Sequence, residues 1–110
     1  MNIIIYYINL DRRNDRNEKI IKELELITDI PIKRISAIDK NELNRNKLIE
    51  EKYITDKTSL RLGQIACILS HMKVWEEFLN SNYDYCIILE DDVKINKKYF
   101  NEHFYNILNE

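Results

Sequence analysis

Six consecutive apolar residues, Ile3-Ile4-Ile5-Tyr6-Tyr7-Ile8, stand near the start of the chain with no polar residue among them. A strand with one wet face alternates apolar and polar side chains, so a run of this kind needs cover on both faces. Helices on either side of a parallel sheet provide that cover. Asp84 to Leu89 forms a second continuously apolar run of the same kind after its first residue. Two such strands constrain the chain to an α/β fold more tightly than any other feature it carries.

The segments between them read as helices and one weaker strand. Asp15 and Glu18 have capping-box spacing ahead of Ile20, Ile21, Leu24 and Ile27, which recur at helical intervals. Pro31 ends that unit, and Ile32 to Ile38 alternates as a second, less buried strand with Ile35 and Ala37 on one face. Lys40 to Lys52 is polar, Asn-rich and weakly helical in pattern. From Leu62 to Leu79 a long helix is predicted, with Leu62, Ile65, Ala66, Ile68, Leu69, Met72, Trp75, Phe78 and Leu79 in a wide buried stripe. Phe100, Phe104, Ile107 and Leu108 mark one face of a last helix. Strands alternating with helices imply a mostly parallel sheet flanked by helices, whose ligands bind beyond the carboxyl ends of the strands.

Composition narrows the function. The 110 residues suit one domain, residues 1–110, with a single modest core. Lys plus Arg number 17 against 19 Asp plus Glu, for a net charge of -2, which lacks the basic excess of a nucleic-acid-binding surface. One glycine, Gly63, and one proline exclude the Walker loop and the dinucleotide fingerprint, which need several glycines. The longest apolar stretch is far short of the roughly 18 residues that cross a bilayer, and it has neither a basic leader nor a cleavage site. A soluble, cytoplasmic protein is expected. Cys67 and Cys86 form no CxxC pair and read as two buried, reduced thiols rather than a structural zinc site.

Chemistry gathers at the predicted strand ends. Glu90-Asp91-Asp92 follows Ile87-Ile88-Leu89 directly. Three carboxylates crowded at an apolar sheet edge repel one another, so a cation or protons must neutralise part of their charge. Hard oxygen ligands suit Mg²⁺ or Mn²⁺ completed by water and substrate phosphate. Strand alternation would place Glu90 and Asp92 on one side and Asp91 on the other. A solvated acidic turn is the plain alternative. The first strand ends at Asn9-Leu10-Asp11-Arg12-Arg13-Asn14-Asp15-Arg16, at the same edge if the strands are parallel. Arginines at a helix N-terminus oppose the helix dipole, so Arg12, Arg13 and Arg16 suit either a diphosphate clamp or a solvated charged loop. Cys67, His71 and Trp75 recur at four-residue spacing with Ser70 beside His71, which reads as a packed stripe with one hydrogen-bonded histidine more readily than as a metal site. No Ser/His/Asp order or HExxH pattern supports a hydrolase.

Four blocks in order, Ile8-Asn9-Leu10-Asp11-Arg12-Arg13 with Asp15-Arg16, Arg34-Ile35-Ser36-Ala37-Ile38-Asp39, Leu62-Gly63-Gln64-Ile65-Ala66-Cys67 running into Leu69-Ser70-His71, and Ile88-Leu89-Glu90-Asp91-Asp92-Val93, together resemble glycosyltransferase family 25. That family includes bacterial lipooligosaccharide galactosyltransferases and procollagen galactosyltransferases. The resemblance implies a GT-A, Rossmann-like fold, a UDP-sugar donor, often UDP-galactose, a glycan or hydroxylysine acceptor, Mn²⁺ or Mg²⁺, and inverting transfer. It implies that Asp92 is the direct metal ligand, with Glu90 supporting the metal or the ribose. It implies too that Asn9, Leu10, Asp11, Arg12 and Arg13 border the nucleotide, with Ser70, His71 and Asp91 near the donor. No residue is singled out as the general base.

The chain departs from the family pattern at Gln64 and Ala66, where Glu and Gly are usual. By the resemblance it corresponds to the N-terminal, donor-binding half of a GT-A domain, truncated before the acceptor half. A family glycosyltransferase, alone or with a further half, is therefore weighed against a catalytically silent remnant that binds nucleotide or a partner. An unrelated receiver-like α/β module is the third reading. An uncovered sheet face would leave an exposed apolar patch or a homo-oligomer, and peripheral membrane association is compatible with the resemblance.

Overall fold

The computed structural model describes residues 2–25, 27 and 29–108. Three strands, β1 (Ile3–Asn9), β2 (Ile32–Ser36) and β3 (Tyr85–Glu90), form a parallel sheet in the order β2-β1-β3. The helices are α1 (Asn14–Leu24), α2 (Arg45–Glu50), α3 (Leu62–Leu79) and α4 (Lys97–Leu108), with a 3-10 turn at Lys40–Glu42. None of the described helices is long and apolar enough to cross a membrane. The result is an α/β architecture consistent with the Rossmann-like GT-A class.

β1 is central, and all seven of its residues are buried. Its pleat explains the unbroken apolar run. Ile3, Ile5 and Tyr7 point to one face, against Ile20 and Leu24 of α1, Ile27 and Ile30, with Phe100 and Phe104 of α4 packed beside them. Ile4, Tyr6 and Ile8 point to the other, against Ile35 of β2 and Val74 of α3. The side chains of Ile107 and Leu108, expected on the inner face of α4, lie outside the described residues.

Topology follows from two crossovers of opposite direction. β1 to β2 steps one way across the sheet, and β2 to β3 steps back past β1. Right-handed crossovers then send the intervening helices, α1 and α3, to opposite faces, which is where the two cores hold them. Register runs from Ile5 opposite Ile32 to Asn9 opposite Ser36, and from Ile3 opposite Tyr85 to Ile8 opposite Glu90. All three strands therefore end at one edge.

Several expectations are corrected in detail. α1 starts at Asn14 with Arg13 at its N-cap and no side-chain cap, so Asp15 lies inside the first turn rather than capping it. β2 stops at Ser36, two residues short of the expected end. α3 has the expected limits, but its inner face is narrow: Ile65, Ala66, Ser70 and Val74 are buried. Ile68, Met72, Trp75 and Leu79 are exposed at 46%, 45%, 52% and 79%, forming an apolar stripe instead of a buried one. A helix laid on a three-stranded sheet touches it along one line, and only neighbours on that line are covered. The cysteines also differ from expectation, since Cys67 is exposed and Cys86 half-buried, both as free thiols.

Candidate functional site at the carboxyl edge of the sheet

Asn9 closes β1 at 2% exposure and ties the strand ends together. Its Nδ2 donates to Asp91 Oδ2 at 2.8 Å and to the Arg13 carbonyl at 3.2 Å. Its Oδ1 accepts from Arg34 Nε at 3.0 Å, and Arg34 also donates to the Asn9 carbonyl at 3.0 Å. Arg34 and Ser36 of β2 then both donate to Asp11 Oδ1, at 2.6 and 2.8 Å. One amide thus joins the loop after β1, the loop after β3 and the edge strand β2. The Arg34 guanidinium, followed by the Ser36 hydroxyl, holds the Asp11 carboxyl below the ordinary aspartate range.

Each arginine of the cationic loop has an acidic partner. Arg12 pairs with Asp39 at 2.8 Å, Arg13 with Asp15 at 2.8 Å, and Arg16 with Asp91 at 3.3 Å. The Arg12 bond, with the Asn41 amide behind it, lowers the Asp39 carboxyl. The Arg13 guanidinium does the same for Asp15. Arg13 is therefore turned along its own loop. Arg12 and Arg16 are turned inward.

Inward lies a cleft of about 290 Å³ over the strand ends. Ile8 and Leu10 come from the end of β1, Ala37 to Lys40 from the segment after β2, Glu90 to Asp92 from the end of β3, and Gly63, Ala66, Cys67, Ser70 and His71 from α3, with Arg12 and Arg16 beside them. Leu10, Arg12, Ser70, His71, Glu90, Asp91 and Asp92 thus line one cleft, whereas Asn9, Asp11 and Arg13 do not. Asn9 acts on it through Asp91, which it bonds. Ser70 lines it with its hydroxyl already committed, accepting from the Ile38 amide at 2.9 Å and donating to the Ala66 carbonyl at 2.7 Å. The bond from the Ile38 amide docks α3 on the segment leaving β2.

The acid triplet separates by environment. β3 ends at Glu90, so Asp91 and Asp92 lie in a turn and strand alternation does not apply to them. Asp91 is consumed by Asn9 and Arg16. Asp92 is exposed and bonds none of the described residues. Glu90 faces α3, with Oε1 at 3.7 Å from His71 Nε2 and 3.5 Å from Cys67 Sγ. Burial, then the Glu90 hydrogen bond and charge, raise the Cys67 thiol. Gln64 has a local role: its Oε1 accepts from the Arg61 amide at 2.8 Å and closes the open end of α3.

Lys40 and the alignment of Cys67 with Glu90 carry no signal as site features in the sequence. Asp39 closes the second family block, whereas Lys40 opens a polar, patternless segment. Only the four-residue spacing of Cys67 and His71 signalled a shared helix face.

A family model described as Glycosyltransferase family 25 (LPS biosynthesis protein) matches residues 2–110. Among curated relatives, a glycosyltransferase 25 family member of Anopheles gambiae is 29% identical over 112 residues, covering 94% of this chain and 19% of its own length. Procollagen galactosyltransferase 2 of Mus musculus is 30% identical over 105 residues, covering 86% of this chain and 16% of its own length. The human protein of the same name is 30% identical with the same coverage. The chain spans less than a fifth of the length of these relatives. The match takes in all three strand ends and the helix that faces them, and the chain belongs to glycosyltransferase family 25.

Proposed function

We propose that the cleft binds the diphosphate of a UDP-sugar together with a divalent cation, as the donor side of a galactosyl transfer to a lipooligosaccharide-type or similar glycan. One observation carries the reading: the exposed carboxylates Glu90 and Asp92 and the cations Arg12, Arg16 and Lys40 surround a single cleft at the carboxyl edge of a parallel sheet. The family membership and the galactosyltransferases among the relatives support the reaction class.

The donor set fits Mn²⁺ or Mg²⁺. The Asp92 carboxylate and Glu90 Oε2 bond none of the described residues, while Asp91 is held by Asn9 through Oδ2 and paired with Arg16 through Oδ1 before the donor enters. These cations keep one or two protein carboxylates and fill their remaining positions with water and phosphate. When bound, such a cation neutralises charge on the departing diphosphate. Arg12 and Arg16 exchange a carboxylate partner for a phosphate one as the donor enters, and Lys40 adds a charge with no ion-pair partner among the described residues. Leu10, Ile8 and Ala37 supply apolar wall.

Calorimetric titration of the purified chain with UDP, with and without Mn²⁺, tests this. Mn²⁺ is expected to strengthen UDP binding, UDP to strengthen Mn²⁺ by the same factor, and Asp92→Asn to remove the coupling. UDP affinity indifferent to Mn²⁺ overturns the proposal.

A further inference from the structure

Cys67, His71 and Glu90 each offer one ligand atom, and the three atoms lie within 4.8 Å of one another. Two of them come from successive turns of α3 and the third from the last residue of β3, so the helix packing on the sheet brings the set together. Sulfur, imidazole nitrogen and carboxylate oxygen form a mixed, partly soft donor set, unlike the all-oxygen environment expected for Mg²⁺ or Mn²⁺. We propose that Cys67, His71 and Glu90 form a three-ligand site for Zn²⁺, with the fourth position open to the cleft.

The chemistry of each ligand agrees. Zinc takes Cys, His and Asp or Glu in tetrahedral sites, and a site with three protein ligands keeps a position for water or substrate. The Cys67 thiol releases its proton to solvent as the sulfur–zinc bond forms. Glu90 uses Oε1, the oxygen that faces both partners, which leaves Oε2 for the cleft. All three residues line the cleft, so the ion has an entry path. Cys67 is exposed and His71 about a third exposed, so filling the site requires no opening of the core. The Irving–Williams order places zinc above manganese at nitrogen and sulfur donors. This assignment does not depend on nucleotide binding. It divides the edge of the sheet into a soft pocket against α3 and a hard one at Asp92.

The test uses the reduced, chelator-treated chain and metal alone. Equilibrium dialysis is expected to give one Zn²⁺ per chain, retained against a hundredfold excess of Mn²⁺. Co²⁺ in place of zinc is expected to show a thiolate-to-cobalt charge-transfer band. Cys67→Ser and His71→Ala should each weaken Zn²⁺ at least tenfold and abolish or shift the cobalt spectrum, with circular dichroism confirming the fold. Cys86→Ser, which removes the other thiol, should leave both readouts unchanged. The proposal is overturned by a cobalt complex without a thiolate band, by Cys67→Ser retaining full zinc affinity, or by loss of zinc in Cys86→Ser. Because no UDP is present, zinc can bind while the Mn²⁺–UDP coupling fails, and the reverse, so the two proposals stand or fall separately.

Discussion

Asn9 shows how one side chain can matter more for the shape of a site than for contact with its ligand. Its amide is nearly inaccessible and bonds Asp91, Arg34 and the Arg13 carbonyl. Asn9→Ala takes one hydrogen bond from the Asp91 carboxylate and one from the Arg34 guanidinium, which keep Arg16 and Asp11 as partners, and the cost expected from hydrogen bonds to charged groups is about 1.5–3 kcal/mol. Urea denaturation should show a lower midpoint at unchanged slope, and a loss below about 0.5 kcal/mol would show that water replaces the amide. Asp11 tests the same knot through its charge. Its folded value lies below its unfolded one, so its favourable contribution is present above about pH 4 and is lost as pH falls through the lowered value. Carbon-13 titration of the Asp11 carboxyl should report this depression, and Arg34→Gln should move the titration up toward the ordinary range. An unchanged midpoint in Arg34→Gln would remove Arg34 as the cause.

At the scale of elements, the two helices of the crossovers are held by different means. α1 sits on the sheet through Ile20 and Leu24, at 0% and 3% exposure. α3 sits through Val74, Phe78 and the Ser70 hydroxyl, and it presents Ile68, Met72, Trp75 and Leu79 outward. Ile20→Ala opens a cavity in a closed core and should destabilise by about 2–5 kcal/mol. Leu79→Ala changes an exposed side chain and should stay within about 0.5 kcal/mol. Chemical denaturation of both variants checks the contrast, and a large loss at Leu79 would show that its stripe is covered in solution. The sequence pattern could not draw this distinction. An apolar residue on a helix looks the same whether or not a sheet lies beneath it, and hydrophobicity counts as readily toward an exposed stripe as toward a core.

On the scale of the molecule, the site exists only because three strand ends and a helix meet. Arg12 and Arg16 face the cleft while Arg13, in the same run, is turned to Asp15. Arg16→Ala is therefore expected to weaken UDP more than uridine, by about 1.5–3 kcal/mol if a charge-assisted phosphate contact is lost. Arg13→Ala should leave the ratio of the two affinities nearly as it was. Parallel titrations with UDP and uridine distinguish these outcomes, and equal losses for both ligands in Arg16→Ala would place its role away from the phosphates.

The α/β class, the parallel central strand, the limits of α3 and the acidic strand end were all legible in the residues. Each depends on interactions local in sequence: an unbroken apolar run, a helical period, a charge run after a strand. The family blocks likewise contain Leu10, Arg12, Ser70, His71, Glu90, Asp91 and Asp92, which line the cleft. What tertiary structure decided is which members of a charged run point inward. Arg12 and Arg13 are equivalent in sequence, but Asp39, brought in from the segment after β2, pairs with one and Asp15, two residues along the chain, with the other. The grouping of Cys67 and His71 with Glu90 is of the same kind, since it joins residues about twenty positions apart through the docking of α3 on the sheet. Periodicity fixes a face of a helix, and only packing fixes what that face meets.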